Sequence, residues 1–173
     1  MTSVAFYACL IVAVGLERLA ELVVSQRHLR WAKSRGGVEA GRGHYPPMVI
    51  LHTGLLVGCI VEVVWLDRAF VPTLGWTMLA VVLASQALRW WCIAALGRQW
   101  NTRVVVVPGL PLVETGPYRW LRHPNYVAVV AEGVALPLVH SAWLTAIAFT
   151  VLNAVVLTVR IRTENRALAA AAA

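Results

Sequence analysis

The chain has 173 residues, of which 60% are hydrophobic and only 13% are charged. Soluble domains carry about twice that charged fraction, so the composition excludes an ordinary soluble domain and predicts one membrane-embedded domain over 1–173. The formal net charge is +7, but no basic stretch is interleaved with aromatic residues as in an RNA-binding surface, which argues against a nucleic-acid partner.

Hydrophobic stretches in chain order predict an all-α integral membrane protein with five transmembrane helices. A bilayer core needs roughly 20 mostly apolar residues per helix. The stretches that meet this need are 4–24, 46–66, 71–96, 124–139 and 142–161. The first lacks a basic region and a small-residue cleavage site, so we expect it to be retained. The alanine tail at 169–173 is expected to fray.

Positive charges are distributed unevenly between the predicted loops. Loop 25–45 carries five Lys and Arg residues, loop 97–123 and the C-terminal end carry more, and the loop after the second span carries only Arg68. The positive-inside rule therefore places the N-terminus outside, both long loops inside and the C-terminus inside. A site formed by these loops would face the cytoplasm. Fourteen of the fifteen basic residues are Arg, which together with the Ala and Val content suggests a bacterial cytoplasmic membrane.

The three cysteines, Cys9, Cys59 and Cys92, each lie inside a hydrophobic stretch and share no short spacing. Metal sites and disulfide frameworks use closely spaced pairs. We therefore expect no metal site.

Charged residues inside the first and third spans have two interpretations. Glu17, Arg18 and Glu21 predict a structural ion pair, with a wall of a substrate pocket as the alternative. Arg89 is explained by snorkelling to the interface, although it too could line a site.

Glu62 and Glu132 lie within predicted spans and must be neutral, paired or in a polar cavity. We favour structural pairing over a proton relay. His52 is expected to be a hydrogen-bonded core residue, and the loop at 36–43 a flexible loop or lid.

The segment "GPYRWLRHPNY" at 116–126 concentrates polar side chains directly before the fourth span. Pro124 suits the first turn of a helix, so His123 would stand just outside a helix N-terminus, which attracts anions. Arg119 and Arg122 add positive charge there. The sequence permits either a site for an anionic small molecule or an interfacial anchor of Arg, Tyr and Trp.

A second group lies at the inner end of the fifth span. Arg160 and Glu164 are four residues apart and share a helix face. Taken alone, the spacing favours a local salt bridge.

The two groups together resemble the isoprenylcysteine carboxyl methyltransferase superfamily. The resemblance consists of G-x-Y-x-x-x-R-H-P-x-Y, preceded by "LPLVET" and followed one helical hairpin later by R-x-x-x-E, and it covers about the last sixty residues. These are integral membrane enzymes that use S-adenosylmethionine and release S-adenosylhomocysteine. One departure is Asn165, where the family often has a second Glu.

The resemblance implies a cofactor-binding core at about 103–166. It assigns to cofactor binding the residues Leu110, Pro111, Leu112, Val113, Tyr118, His123, Pro124, Asn125, Tyr126 and Glu164. It also implies that Arg160 faces the methyl acceptor, where we expect it to act catalytically by stabilising an oxyanion. His123 could serve as a base but ranks first as a cofactor contact.

The N-terminal segment "ERLAELVVSQRHLRWAKSRGGVEAGRGHYPPMVILH" resembles the bacterial branch associated with O-methylation of alkylpyrone and alkylresorcinol lipids. This resemblance favours a phenolic or enolic polyketide lipid as the acceptor, entering laterally from the bilayer. An isoprenylcysteine-type carboxylate and a phospholipid headgroup remain alternatives. A small transporter or a membrane scaffold are the alternatives without catalysis.

Overall fold

The computed structural model describes residues 2–172, which form five helices and one short two-stranded ribbon. The elements are α1 (Thr2–Ser34), β1 (Val38–Ala40), α2 (Tyr45–Trp65), α3 (Pro72–Leu96), β2 (Val104–Val106), α4 (Pro124–Leu138) and α5 (Trp143–Ala172). Single 3₁₀ turns cover Arg42–His44, Gly97–Gln99 and Gly116–Arg119. The predicted helical class is confirmed.

Three helical segments are long and apolar enough to cross a membrane, namely Tyr45–Trp65, Pro72–Gln99 and Trp143–Ala171. Within the described residues, α1 and α4 are not among them. α4 has 15 residues, fewer than the roughly 20 that a span requires. Membrane crossing by α1 and α4 therefore stays a prediction.

α1 continues well past its predicted end at 24, to Ser34. It stops where Gly36 adopts a left-handed conformation with φ 77°, and the Gly37 amide donates to the Ala32 carbonyl at 2.8 Å. A glycine in this conformation is a frequent helix terminator. A Cβ on Gly37 would also lie 2.7 Å from the Ala32 oxygen, so the turn requires glycine there.

α5 also continues past its predicted end at 161, to Ala172. The alanine tail is helical over 169–172, so the expected fraying is wrong for those residues, and Ala173 lies outside the described range. Alanine has the strongest helix propensity, which explains the extension.

The two strands form an antiparallel ribbon that was not predicted. Val38 pairs with Val106, Glu39 with Val105 and Ala40 with Val104. The valines of β2 suit a strand because their branched side chains pack on a pleated surface. Part of the loop at 36–43 is therefore held against β2 and is not a free lid.

Apolar packing closes one end of the bundle. Tyr7, Cys59, Val82, Leu136 and Phe149 belong to one buried cluster drawn from all five helices. The Tyr7 hydroxyl donates to the Leu136 carbonyl at 3.0 Å. One of the cavities described below borders this cluster at Val14, Leu55 and Phe149, and the other shares no residue with it.

Glu62 joins α2 to the start of α5. Its carboxylate accepts hydrogen bonds from the backbone amides of Leu144 at 3.1 Å and Thr145 at 2.7 Å. It also pairs with Arg68 at 2.9 Å. A carboxylate at a helix N-terminus satisfies free N–H groups and interacts favourably with the helix dipole, so the predicted structural pairing of Glu62 is confirmed.

Candidate active site

A cavity of about 680 Å³ lies where β2, the segment 107–114, the start of α4 and the C-terminal part of α5 meet. We call it the polar cavity. Arg122, Glu164 and Asn165 lie on its walls beside the apolar residues of β2. It therefore offers charged, hydrogen-bonding and apolar surfaces to one ligand.

Nearly all of the predicted cofactor-binding residues line the polar cavity. They are Leu110, Pro111, Leu112, Val113, Tyr118, His123, Asn125, Tyr126 and Glu164, and Arg160 lies on the same wall. Pro124 is the exception, because it is buried as the first residue of α4 and is not among the lining residues. Its fixed φ suits the first helical turn, which orients its neighbours toward the cavity.

Tyr126 connects the two residues of the R-x-x-x-E motif. Its hydroxyl donates to the Glu164 carboxylate and accepts a hydrogen bond from Arg160 Nε at 2.9 Å. The expected local salt bridge between Arg160 and Glu164 is not among the ion pairs of the described residues. Arg160 is buried, and its Nη1 contacts Met48 Sδ at 3.0 Å. This leaves a buried guanidinium without a carboxylate partner in the described chain.

His123 is fixed between Tyr126 and the end of α5. Its ring stacks on Tyr126 at 5.3 Å between ring centroids. Its Nε2 lies 3.1 Å from the Asn165 side-chain oxygen, and its Nδ1 lies 3.8 Å from Glu164. The imidazole is thus oriented by three side chains.

Tyr118 is positioned by the turn that begins at Gly116. Gly116 has φ 59°, and a Cβ there would lie 3.0 Å from both Trp91 Nε1 and Ala95 Cβ. The turn can pack on α3 only because this position is glycine. Burial raises the pKa of the Tyr118 hydroxyl above its usual value, so this group stays a neutral hydrogen-bonding phenol near neutral pH.

A second cavity, of about 230 Å³, lies between α1, α2, α4 and α5. We call it the apolar cavity, because most of its walls are aliphatic and aromatic. The charged side chains of α1 and α3 on its walls are paired. Arg18 pairs with Glu132 and with Glu21, the latter at 2.8 Å, and Arg89 Nη2 donates to Glu21 at 2.7 Å.

The two cavities meet at a shared wall. The residues that line both are Trp100, Asn101, Asn125, Tyr126 and Arg160. Among the described residues, Trp100 Nε1 and Asn125 Oδ1 are buried without a hydrogen-bond partner. Buried polar atoms usually have partners, so this junction has unused hydrogen-bonding capacity.

Comparison with known proteins decides the family. The Isoprenylcysteine carboxyl methyltransferase (ICMT) family matches residues 78–170. An uncharacterized protein of Bacillus subtilis, YpbQ, is 39% identical over 160 residues, which are 92% of this chain and 94% of that protein. The chain belongs to the ICMT family. An uncharacterized protein of Haemophilus influenzae is 24% identical over 163 residues, 94% of this chain and 92% of that protein.

Membership of the ICMT family makes this protein a membrane methyltransferase. The matched region contains most of α3, the whole of α4 and nearly all of α5. It therefore includes most of the wall of the polar cavity, whereas α1 and α2, which contribute to the apolar cavity, precede it. The roles of the individual residues stay predictions.

The departure from the ICMT pattern at Asn165 has a structural counterpart. The Asn165 side-chain oxygen lies within hydrogen-bonding distance of His123 Nε2, at 3.1 Å. An amide oxygen accepts a hydrogen bond as a carboxylate does, but without the charge. In this chain the position can thus accept a hydrogen bond from the imidazole ring without a charge.

Arg89 differs from its predicted role. Snorkelling is wrong, because the side chain is only 9% exposed and pairs with Glu21. A carboxylate buried on the neighbouring helix neutralises the guanidinium more effectively than a distant interface. The predicted ion pair of Arg18 and Glu21 is present, and both residues also line the apolar cavity, so the two interpretations hold together.

Arg103 lies at the start of β2 and connects the ribbon to α2. It pairs with Glu39 at 2.8 Å and lies over the Tyr45 ring at 4.4 Å. The hydrogen bond with Glu39 raises the pKa of Arg103. Trp100 and Asn101 were not predicted as site residues. Their signal in the sequence was weak, since Trp100 and Asn101 precede β2 without a motif of their own.

Proposed function

We propose that this protein transfers a methyl group from S-adenosylmethionine to an oxygen atom of a lipophilic acceptor. The observation that carries the proposal is the shared wall of the two cavities at Asn125, Tyr126 and Arg160. A polar donor in one cavity and a lipophilic acceptor in the other would meet there. Membership of the ICMT family supports methyl transfer as the reaction.

The residues of the polar cavity fit S-adenosylmethionine. Glu164 and Glu114 offer carboxylates to ribose hydroxyls or an ammonium group, and Arg122 offers a guanidinium to a carboxylate. The aliphatic side chains of the segment 110–113 suit an adenine ring. When bound, this cofactor supplies a methyl group that its sulfonium has already activated. The chain must therefore mainly position the reactants and exclude water, which can contribute on the order of 7–11 kcal/mol at best.

Arg160 is the residue to which we assign the catalytic role. Its buried guanidinium is held by the Tyr126 hydroxyl and by Met48, with no carboxylate of the described chain to neutralise it. For a hydroxyl acceptor, this fixed cation would lower the pKa of the hydroxyl, so that its proton is lost to water before the site closes. The resulting oxyanion would then attack the methyl carbon as the bond from that carbon to sulfur breaks. His123, oriented by Asn165, serves as a cofactor contact in this proposal.

The acceptor we favour is a phenolic or enolic polyketide lipid. The preference rests on the N-terminal resemblance and on the Arg-rich composition typical of a bacterial protein. An isoprenylcysteine-type carboxylate or a phospholipid headgroup are the alternatives. The exposed side chains Leu19, Val49 and Thr53 line the apolar cavity from α1 and α2, which supports lateral entry from the bilayer between these helices. We place the polar cavity on the cytoplasmic side, with the N-terminus outside.

Transport has little structural support. Glu62 and Glu132 are paired with Arg68 and Arg18, so neither is a free carboxyl group of the kind that a proton relay uses. A scaffold without turnover rests only on Asn165, which retains a contact with His123.

The test is calorimetric binding of S-adenosylhomocysteine to detergent-solubilised protein, followed by methyl transfer from labelled donor to 5-pentadecylresorcinol. Micromolar binding that is lost in His123→Ala and Glu164→Ala is the expected result. Arg162→Ala is the matched control, because Arg162 is an exposed arginine near the same end of α5. Absence of binding by the folded wild type would contradict the proposal.

A further inference from the structure

Asn153 lies in the middle of α5 on the wall of the apolar cavity. Its side chain is only 4% exposed. Within residues 2–172, no other group forms a hydrogen bond with its carboxamide. The polar atoms of the carboxamide are not completely enclosed by protein, and the residue lines the cavity. A buried amide without a partner costs free energy in a membrane helix. Its donors and acceptor therefore face the cavity unused.

His52 on α2 offers a second unused polar atom at the same level. Its Nδ1 donates to the Met48 carbonyl at 2.9 Å, which leaves Nε2 of the neutral ring as an acceptor. The His52 ring meets the edge of Phe149 at 5.4 Å. Phe149 precedes Asn153 by one helical turn on the same face of α5, so His52 and Asn153 line adjacent parts of the cavity.

The other polar side chains on the walls of the apolar cavity differ from this pair. Arg18, Glu21, Arg89 and Glu132 are joined by ion pairs. Their hydrogen-bonding capacity is largely used within the protein. Trp100 Nε1 and Asn125 Oδ1 lie at the junction with the polar cavity. Asn153 and His52 are polar groups on the α5 and α2 walls, away from that junction, that a ligand in the apolar cavity can address.

The pair lies at a defined distance from Arg160. Arg160 follows Asn153 by seven residues, about 10 Å along the helix axis, and long side chains on a helix lean toward its N-terminus. Arg160 Nη1 contacts Met48 Sδ at 3.0 Å, and Met48 is four residues, about 6 Å, before His52 on α2. The guanidinium and the pair are thus separated by roughly one helical turn.

The size of the apolar cavity limits what can lie between them. An apolar protein cavity of about 150 Å³ holds a benzene ring. The apolar cavity measures about 230 Å³, so it holds a substituted ring and the beginning of an alkyl chain. The rest of such a chain would leave past the exposed Leu19 and Val49 into lipid.

We propose that Asn153 and His52 form a subsite for a second oxygen of the acceptor, a hydroxyl on the same ring as the oxygen that is methylated at Arg160. A hydroxyl matches both groups, because it donates to His52 Nε2 and accepts from the Asn153 amide. The inference rests on the proposed function, and it names the acceptor class as a ring with two oxygens. It assigns Asn153 and His52 a specificity role and not a catalytic one.

The test compares two lipids that differ in one hydroxyl, 5-pentadecylresorcinol and 3-pentadecylphenol. Their affinities are measured by calorimetry with the protein in lipid nanodiscs and without cofactor. The wild type is expected to bind the resorcinol about tenfold more tightly, the effect of roughly one hydrogen bond. Asn153→Leu is expected to remove this difference and to bind the phenol at least as tightly as the wild type.

Thr158→Val is the matched control, because Thr158 is an exposed polar residue of the same helix and bonds only its own backbone at Ala154. It should leave the difference intact. His52→Phe is an independent second variant, for use if Asn153→Leu does not fold. It too should remove the difference in affinity between the two lipids.

Equal affinities of the wild type for the two lipids, including no binding of either, would overturn the subsite. A preference for the resorcinol that persists in Asn153→Leu and His52→Phe would do so as well. S-adenosylhomocysteine binding and labelled methyl transfer are measured separately in the same preparations. Failure of the proposed function is thereby distinguished from failure of the subsite.

Discussion

The polar cavity and the apolar cavity differ in how their charged side chains are satisfied. On the apolar cavity, Arg18 and Arg89 are paired with carboxylates of α1 and α4. On the polar cavity, Arg122 is exposed, and within residues 2–172 Glu164 is joined to Tyr126 and His123 and to no Lys or Arg. Charges between apolar helices must be neutralised within the protein, whereas those beside an open cavity can be left for a ligand.

Arg160 lines both cavities. It has no carboxylate partner in the described chain, although it is as buried as Arg89. Burial therefore does not distinguish Arg160 from Arg89. The distinction is that Arg89 has a carboxylate partner and Arg160 has none within the described chain. Four changes would break or sharpen this distinction.

The largest expected effect is that of Arg160→Ala. Removing this cation should lower the rate of methyl transfer about tenfold to a thousandfold, because an opposite charge nearby lowers the pKa of an acidic group by about 1–3 units and the acceptor hydroxyl would lose that help in ionising. Binding of S-adenosylhomocysteine should change far less. Rates with labelled donor, beside Arg162→Ala, check this. An equal fall in the methyl-transfer rate of Arg162→Ala would show that the rate depends on the positive charge at this end of α5 and not on Arg160 in particular.

Arg18→Leu should act on stability and not on chemistry. It leaves the Glu132 carboxylate buried without its partner, while Glu21 keeps Arg89. Breaking a buried ion pair costs about 3 kcal/mol or more, which unfolding in mixed micelles measures. Adding Glu132→Leu should recover much of the loss. A stable single variant would mean that the ion pair contributes little.

Tyr126→Phe tests the link between the two cavities. It removes the hydroxyl that holds Arg160 and Glu164 together but keeps the ring that stacks on His123. We expect kcat to fall about tenfold to a hundredfold, because a misplaced group loses about that much. KM for the cofactor should change less. An unchanged kcat would remove the hydroxyl from the positioning of Arg160.

Gly116→Ala should have the smallest of the four effects. It places a methyl group against Trp91 and forces a non-glycine residue into a left-handed conformation, at a cost of about 1–2 kcal/mol. Displacement of Tyr118 should weaken S-adenosylhomocysteine binding about fivefold, the value that about 1 kcal/mol implies. Gly109→Ala is the control, since Gly109 has φ 77° but open space around it. Equal effects of both variants would mean that only backbone strain matters.

The sequence predicted the polar cavity better than the apolar one for a physical reason. Tyr118, His123 and Tyr126 lie in one short segment, and Arg160 and Glu164 share a helix face, so local spacing carries the pattern. The pairing of Arg89 with Glu21 joins residues 68 positions apart. Tertiary packing decides which face of α3 contacts α1. No short sequence motif indicates that face.

The ribbon and the junction were missed for related reasons. Strands of three residues, Val38–Ala40 and Val104–Val106, are too short to show alternation. Trp100 and Asn101 gain their importance from the cavities on either side of them. The lengths of α1 and α5 were underestimated because hydropathy marks the lipid-soluble part of a helix and not its end.

Glu62 has a consequence for biosynthesis. Glu62 accepts a hydrogen bond from the backbone amide of Leu144, a residue translated 82 positions after Glu62. While α3 and α4 are being translated, Glu62 therefore has its Arg68 partner but not yet its two backbone donors at the start of α5. The hydrogen bonds of this carboxylate are therefore completed only after the start of α5 has been translated.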